Sequence, residues 1–404
     1  MKIIQVKAIN YRSFKEVTME LKPVNIIIGK NGSGKSSLLR LLPLILHSLE
    51  SNSQQSLDLM PLGIELAGQY SDIVYNNLIA SPISLGLTID DSGAEFSFLT
   101  ELIYNNQTKL IEVLSFNFIS EDKSIKLKRD LKPTEETYIY NDSKVNLSFS
   151  GLIPDTSLLP HQELKQILAP LSKLKNLIKK DYLSYIGPFR RKFPRIFSTK
   201  NYLSGYVGYE GELAPYILSN LNSQSRGELL IDINTWMKKF MDNSGLKINN
   251  YEESFNVYVE KNGISTNIVD HGVGFSQVLP IIVSRFARDT RKIVGLEVIE
   301  QPELHLHPAM SGAIVDLYLT MLNDENNITV LETHSKELIL RMRRRIAESS
   351  LSHHDCQLLF VDQQQGGSKL EYVEFDEEGT PNWWPEGIFE ESFEEIIAIE
   401  EAIR

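Results

Sequence analysis

Cysteine is nearly absent from this sequence: Cys356 is the sole thiol in 404 residues. An intrachain disulfide is therefore excluded, and a reducing cytoplasm is the expected setting. Long apolar runs are missing as well. No uninterrupted stretch approaches the roughly 20 residues of a membrane span, so no transmembrane helix is expected. The start, MKIIQVKAINYRSFKEV, has neither a long apolar core nor a small-residue cleavage site, and no signal peptide is expected there. Positive charge is in deficit. Lys and Arg number 41 against 53 Asp and Glu, for a formal net charge of −12. Bulk attraction to DNA is not expected on that balance, which leaves only local basic patches. No heptad series persists through three or four repeats, which excludes a long coiled coil.

What is present is an ordinary globular composition, 42% hydrophobic and 23% charged. The chain is too long for one small core. It implies one large α/β domain with an insertion, or two domains. Acid is concentrated near the end, in EYVEFDEEGTPNWWPEGIFEESFEEIIAIEEA. Such a run reads as a solvated helix face or tail, with partner docking as the alternative.

Two segments near the start, IIQVKAI and PVNIIIG, read as strands, the second fully buried. SSLLRLLPLILHSL then reads as a helix in which Pro43 predicts a kink or an early break. From about 83 to 150 the pattern becomes β. Ile83, Leu85, Leu87 and Ile89 alternate with small or polar residues, as do Leu114, Phe116 and Phe118. Residues 160–181 read as helical, interrupted at Pro170. In the C-terminal half, strands IVGLEVI and NITVLET alternate with helices AMSGAIVDLYLTML and KELILRMRRRIAE. That order predicts a largely parallel sheet.

The most specific pattern is GKNGSGKS at 29–36, which matches G-x-x-x-x-G-K-[ST] in full between a strand and a helix. Gly29, Gly32 and Gly34 allow the tight turn that aims backbone N–H groups at a polyphosphate. Lys35 is expected on the outer phosphates and the Ser36 hydroxyl on Mg²⁺, with Asn31 and Ser37 as further nucleotide contacts. The strand IVGLEVIE ends in Glu300, the expected second magnesium ligand. His334, after the strand NITVLE, is expected to meet the γ-phosphate or the attacking water at a strand's C-terminal end. DHGVGFSQVLP puts Gly272 and Gly274 before Ser276 and Gln277 at a second helix start. A serine there can simply cap its helix. The other reading is that Gly274, Ser276 and Gln277 complete the nucleotide site of a second copy of the chain.

With these residues in place, the chain resembles the ABC-type ATPases of the RecF, Rad50, SMC and OLD group. The order Walker A, signature, Walker B and histidine switch is the same, and NYRSFKEV looks like that group's N-terminal strand. IEQPELHLHP and ETHSKELILRMRRRIAE look closer still to small bacterial AAA family ATPases with a C-terminal DUF3696 region. YIGPFRRKFPR, VGYEGE and WPEGIFEESFEE match the same subset. The resemblance is weak at about 90–180. It implies an α/β P-loop NTPase fold of ABC/SMC-head type, with a largely parallel core sheet, an antiparallel β subdomain and a helical insertion. It also implies a division into residues 1–100 with Walker A, a β/helical insertion at 101–180, and 181–350 with signature, Walker B and histidine switch. A DUF3696-like segment would follow at 351–404. ATP with Mg²⁺ would be sandwiched in a homodimer or higher even oligomer, gating a separate effector, such as a nuclease, in anti-phage defence. A RecF-like DNA-binding repair ATPase is the alternative. Gln69 is the candidate Q-loop residue, and Arg12 is expected to approach the nucleotide.

Gln301 stands where the wider group has its catalytic glutamate, and an amide cannot accept a proton as a carboxylate does. Slow hydrolysis in a long-lived dimer is the leading expectation. Glu303 as the base, or no effective hydrolysis, are the other two, with His334 as an orienting group. His305 and His307 lack the companions of a zinc shell. Arg190, Arg191 and Arg195 are candidates for DNA contact, although Arg190 and Arg195 equally fit a role bracing the dimer or the ATP site.

Overall fold

The computed structural model describes residues 1–50, 55–130, 137–159, 161–178, 181–199, 205–220, 223–319 and 326–389. The acidic stretch after Phe389, including the second half of WPEGIFEESFEE, lies outside them. The chain divides into two compact units. Among the described residues no helix is long and apolar enough to cross a membrane.

The first unit comprises Met1–Lys22, Ser36–Leu183 and Gln363–Leu370. Its centre is an eight-stranded sheet in the order Phe14–Glu20, Lys2–Tyr11, Ile83–Asp91, Ala94–Asn105, Leu110–Ser120, Lys123–Arg129, Thr137–Tyr140, Ser143–Asn146. Every neighbouring pair is antiparallel. The expected alternation holds at Ile83, Leu85, Leu87 and Ile89, all buried. It slips at Leu114, which is only partly buried between buried Val113 and Phe116. Glu101 pairs with Ser115 and Leu102 with Val113, so Leu114 is the extra residue of a bulge, and the strand changes face there.

The helix Lys35–Glu50 runs unbroken through Pro43. Leu38, Leu39, Leu41, Leu42, Leu44, Ile45, Leu46 and Leu49 are all buried. Burying that many side chains, at ~1.5–3 kcal/mol each, outweighs the ~3 kcal/mol a mid-helix proline costs. Pro170 acts as expected. The segment splits into Gln162–Ile167 and Ala169–Ile178, with the proline in the first turn of the second helix, where its missing N–H is harmless.

The second unit comprises Pro23–Lys35, Ser184–Asp362 and residues 371 onward. Its sheet has six strands in the order Leu183–Ile186, Leu296–Glu300, Ile328–Glu332, Val24–Ile28, Cys356–Gln364, Gly367–Val373. The central pairs are parallel, as the alternation of strands and helices predicted. Two apolar clusters fill this unit. One gathers the helix Val273–Thr290 with Ile299, Ile314 and Leu317; the other gathers Val24, Ile26 and Leu358 with Leu338 and Met342. A smaller antiparallel sheet joins Ser254–Lys261 to Ser244–Asn250, Ile264–Asn267 and Phe197–Ser198.

The arginine run of RMRRR is consumed within this unit. Arg341 and Arg345 both pair with Asp316, linking the helices Pro308–Leu319 and Lys336–Ala347, while Arg344 pairs with Glu348. Arg343 donates to the Gly379 carbonyl at 2.8 Å.

Candidate functional site

Parallel register does the first work. Glu300 is paired with Glu332, and Glu332 with Ile27, so one edge of the sheet carries two carboxylates beside the start of the phosphate loop. In a parallel sheet the C-terminal strand edge is where ligands are received. Thr333 N donates to Ile27 O at 3.1 Å, and Gln301 N to Glu332 O at 2.7 Å, which extends the pairing to the last residues before each chain turns away.

At the loop, Gly29 has φ +153°, and a Cβ there would stand 2.3 Å from the Val361 carbonyl oxygen. Only glycine fits. Gly32 and Gly34 also have positive φ, at 76° and 108°. The loop ends at the N-terminus of the helix Lys35–Glu50. Lys35 is buried, and its Nζ donates to the Gly29 and Lys30 carbonyls at 2.9 and 2.8 Å. Burial lowers its pKa, opposed by the Glu332 carboxylate. Asn31 is exposed, and Ser36 and Ser37 are partly so.

Glu300 is 3% exposed. Its Oε1 accepts a hydrogen bond from the Tyr185 hydroxyl, from the neighbouring strand. Gln301 then takes a left-handed φ of 44°, and Pro302 follows. This turn brings Glu303 back toward the adjacent strand end. Glu303 Oε1 accepts from His334 N at 2.7 Å, while its Oε2 is buried with no hydrogen-bond partner. Burial raises the Glu303 pKa, opposed by bonds from the His334 amide and from Thr333 and by the charge of Arg190. His334 has an exposed side chain and a lowered pKa, from desolvation and from Lys35. Glu300, Gln301, Glu303, His334 and Lys35 therefore belong to one unit and one sheet edge.

Tyr185 and Glu332 are parts of this site that sequence reasoning missed. Glu332 had a signal, as the acid that ends NITVLE. Tyr185 had none, because its role depends on which strand lies next to Leu296–Glu300. Arg190 turns inward. It is 5% exposed, and its Nη2 donates to the Glu300 and Gln301 carbonyls at 2.7 and 3.3 Å. Burial pulls its pKa down to about 10, which leaves it cationic at neutral pH. The expectation of a surface phosphate contact thus fails for Arg190. Arg191 is exposed, and Arg195 is paired with Asp270 at 2.7 Å.

The second helix starts earlier than expected: its cap position is Gly272, with no side-chain bond, and Ser276 lies inside the helix and does not cap it. Gly272, φ +86°, precedes the helix Val273–Thr290. Gly272 and Val273 are exposed, Gly274 partly, while Ser276 and Gln277 are 5% and 4% exposed. The Gln277 amide bonds the Arg190 backbone on both sides, accepting from its N at 3.3 Å and donating to its O at 2.9 Å.

Arg12 and Gln69 belong to the other unit. Arg12 has φ +49° and donates through Nη2 to the Leu66 carbonyl. Gln69 is exposed and precedes a short 3-10 turn in which its N donates to Asp72 at 3.0 Å. Arg12, Ser37, Asp72, Tyr75, Asn76 and Gln364 are among the walls of a cleft of ≈ 750 Å³. Among the described residues no group of three or more His, Cys, Asp or Glu is arranged to hold a metal ion, and His305 and His307 gather no such shell.

A glycine loop ending a parallel strand, a buried lysine at the following helix start and carboxylates on the neighbouring strand ends define a P-loop nucleotide-binding protein of α/β class. The chain belongs to the AAA ATPase domain family, whose model matches residues 1–186 and 211–339. It is accordingly an ATPase of the AAA type. No curated protein matches the chain. Among solved structures, an Smc head bound to the C-terminal winged-helix domain of ScpA aligns over 93% of this chain and 98% of its own, at 12% identity and a TM-score of 0.46. The SMC head domain from Thermotoga maritima aligns over 93% and 100%, at 13% identity and a TM-score of 0.46. An Smc head with an extended coiled coil, bound to the C-terminal domain of ScpA and derived from Pyrococcus furiosus, aligns over 100% and 99%, at 11% identity and a TM-score of 0.46.

Proposed function

We propose that this chain is a MgATP hydrolase in which Glu303, and not the residue after Glu300, is the general base. The observation that carries the reading is the state of the Glu303 carboxylate. One oxygen is engaged by the His334 amide, and the other is buried with nothing to bond. Its burial-raised pKa brings it closer to neutral pH, where a general base works best.

The triphosphate is held by the loop amides from Gly29 to Lys35 and by the Lys35 ammonium, which exchanges its present carbonyl partners for phosphate oxygens. Glu300 and Ser36 offer hard oxygen donors of the kind magnesium takes. They would hold that ion, which would neutralise charge on the outer phosphates. Glu303 accepts the proton of the attacking water at Oε2. His334, its pKa lowered by partial desolvation and by Lys35, hydrogen-bonds the water or the departing phosphate. Gln301 is not called on as a base.

The finer reading is that ATP closes a homodimer or higher even oligomer through the helix start at Gly272–Gly274, in a cytoplasmic protein. Its cycle would gate a separate effector, such as a nuclease, in anti-phage defence, with the C-terminal DUF3696-like segment as a docking element. The motif resemblance supports this, as does the exposed Val273 at that helix start, 45% accessible. The test is steady-state phosphate release at saturating MgATP, with Lys35→Ala as the blank. Release above the blank that Glu303→Gln abolishes supports the assignment. Release unchanged in Glu303→Gln refutes it.

A further inference from the structure

Arg190 does something the nucleotide chemistry above does not use. Its side chain holds the carbonyls of Glu300 and Gln301, the two residues at which the strand leaves the sheet. Its main chain is held on both sides by the Gln277 amide, one residue past Ser276 on the helix Val273–Thr290. It is 5% exposed, and its Nε and Nη1 are buried with no hydrogen-bond partner. Glu303 is the leading charge acting on it. A buried arginine that spends one nitrogen on two carbonyls, and keeps two for nothing in view, is costly unless its place is fixed by function.

We propose that Arg190 is the positioning residue of the hydrolytic site, and that Gln277 ties its placement to the signature helix. The inference rests on the reading of Glu303 as the base. Gln301 can hold its left-handed turn, and Glu303 its aim, only while the two carbonyls before them are fixed. Arg190 fixes them without touching nucleotide. The bidentate bonds of Gln277 then transmit any shift of the helix start at Gly272–Ser276 to those carbonyls, along the path Gln277, Arg190, Glu300–Gln301, Glu303. Occupancy at that helix start is thereby read out as the rate of this chain's own hydrolysis.

The test uses the full chain, with Arg190→Met, Arg190→Lys, Gln277→Leu and the Arg190→Met/Gln277→Leu double variant. Each is checked for cooperative thermal unfolding. Binding of a fluorescent ADP analogue and kcat for phosphate release are then measured. Misplacing a catalytic group by about 1 Å costs about 10²-fold in rate. Arg190→Met is therefore expected to lose about 10²-fold in kcat, with analogue affinity within about threefold of wild type. Arg190→Lys recovers part of the loss. Gln277→Leu loses about tenfold, and the double variant is no slower than Arg190→Met, because both act along one path. Unchanged kcat in Arg190→Met, or losses that multiply in the double variant, overturn the proposal. So does an equal loss of affinity and rate, which marks a purely structural residue. Should Arg190→Met fail to fold, Gln277→Leu decides alone: unchanged kcat overturns the proposal. Wild-type release no higher than that of Lys35→Ala overturns the hydrolysis reading, and this inference with it.

Discussion

Gln301 and Glu303 differ in how well spacing alone can place them. The resemblance to ABC-type ATPases puts a base directly after Glu300, and an amide stands there. In the fold, that amide sits at φ 44°, Pro302 follows, and the chain doubles back so that the next carboxylate reaches the His334 amide. The acid at Glu300 and the lysine at Lys35 were legible, because regular elements carry them. Glu303 was legible only as one of three readings of the site; its bond to the His334 amide was not, since that depends on a left-handed turn that residue spacing does not encode. Glu303→Gln is expected to lose about 10²–10⁴-fold in kcat, the usual cost of losing a general base. Gln301→Glu is expected to bring no gain, and faster turnover in that variant would return the role to its position. The pH profile has a definite sign. Glu303 works ionised, and burial raises its pKa. Hydrolysis should therefore rise with pH through a limb lying above the usual carboxylate range, and fall as Glu303 protonates below it. Measuring kcat from about pH 4 to pH 8 checks this; a limb at the ordinary carboxylate value refutes it.

At the scale of elements, the helix Val273–Thr290 and the strand Leu296–Glu300 are joined by charge inside an apolar cluster. Arg285 pairs with Glu297 at 3.0 Å, with side chains 5% and 2% exposed, and Ser284 donates to the other Glu297 oxygen at 3.0 Å. Glu297→Ala leaves a buried arginine without its carboxylate, so urea unfolding should show a loss of about 3–5 kcal/mol. Arg285→Met with Glu297→Leu should recover most of that loss; no recovery would mean that the pair also serves a purpose beyond neutralising itself. These elements were foreseen from apolar periodicity, but the pair was not, because an arginine within a helix is ordinarily solvated. The prolines show the same limit from the other side. Pro43 and Pro280 both lie inside continuous helices. Local rules predict a break at Pro43, and burial along the whole helix overrides them, whereas Pro170, placed in a first turn, behaves as local rules require.

For the whole molecule, the parallel sheet was legible because its strands and helices alternate in order along the chain. The antiparallel sheet was legible only in part. Lys2–Tyr11 pairs with Ile83–Asp91 across more than 70 residues, and no local pattern announces a partner at that separation. Assembly lies one step further out, and there the exposed residues decide. Ser276 and Gln277 are buried, whereas Val273 is 45% accessible at the helix start. An ATP-dependent contact between copies through that start should therefore be more sensitive at Val273 than at Ser276. Sedimentation of Glu303→Gln with MgATP, which holds nucleotide unhydrolysed, is expected to show a dimer that reverts to monomer without nucleotide. Adding Val273→Glu puts a carboxylate where a second copy's triphosphate would come, and a like charge in a desolvated contact costs several kcal/mol. That variant should stay monomeric while binding a fluorescent ATP analogue as tightly as before, because Val273 lies outside its own phosphate loop. A dimer that survives Val273→Glu would place the contact elsewhere on the chain. A monomer at every nucleotide concentration would leave Gly272–Ser276 as an ordinary glycine-led helix start, and hydrolysis as the work of one chain.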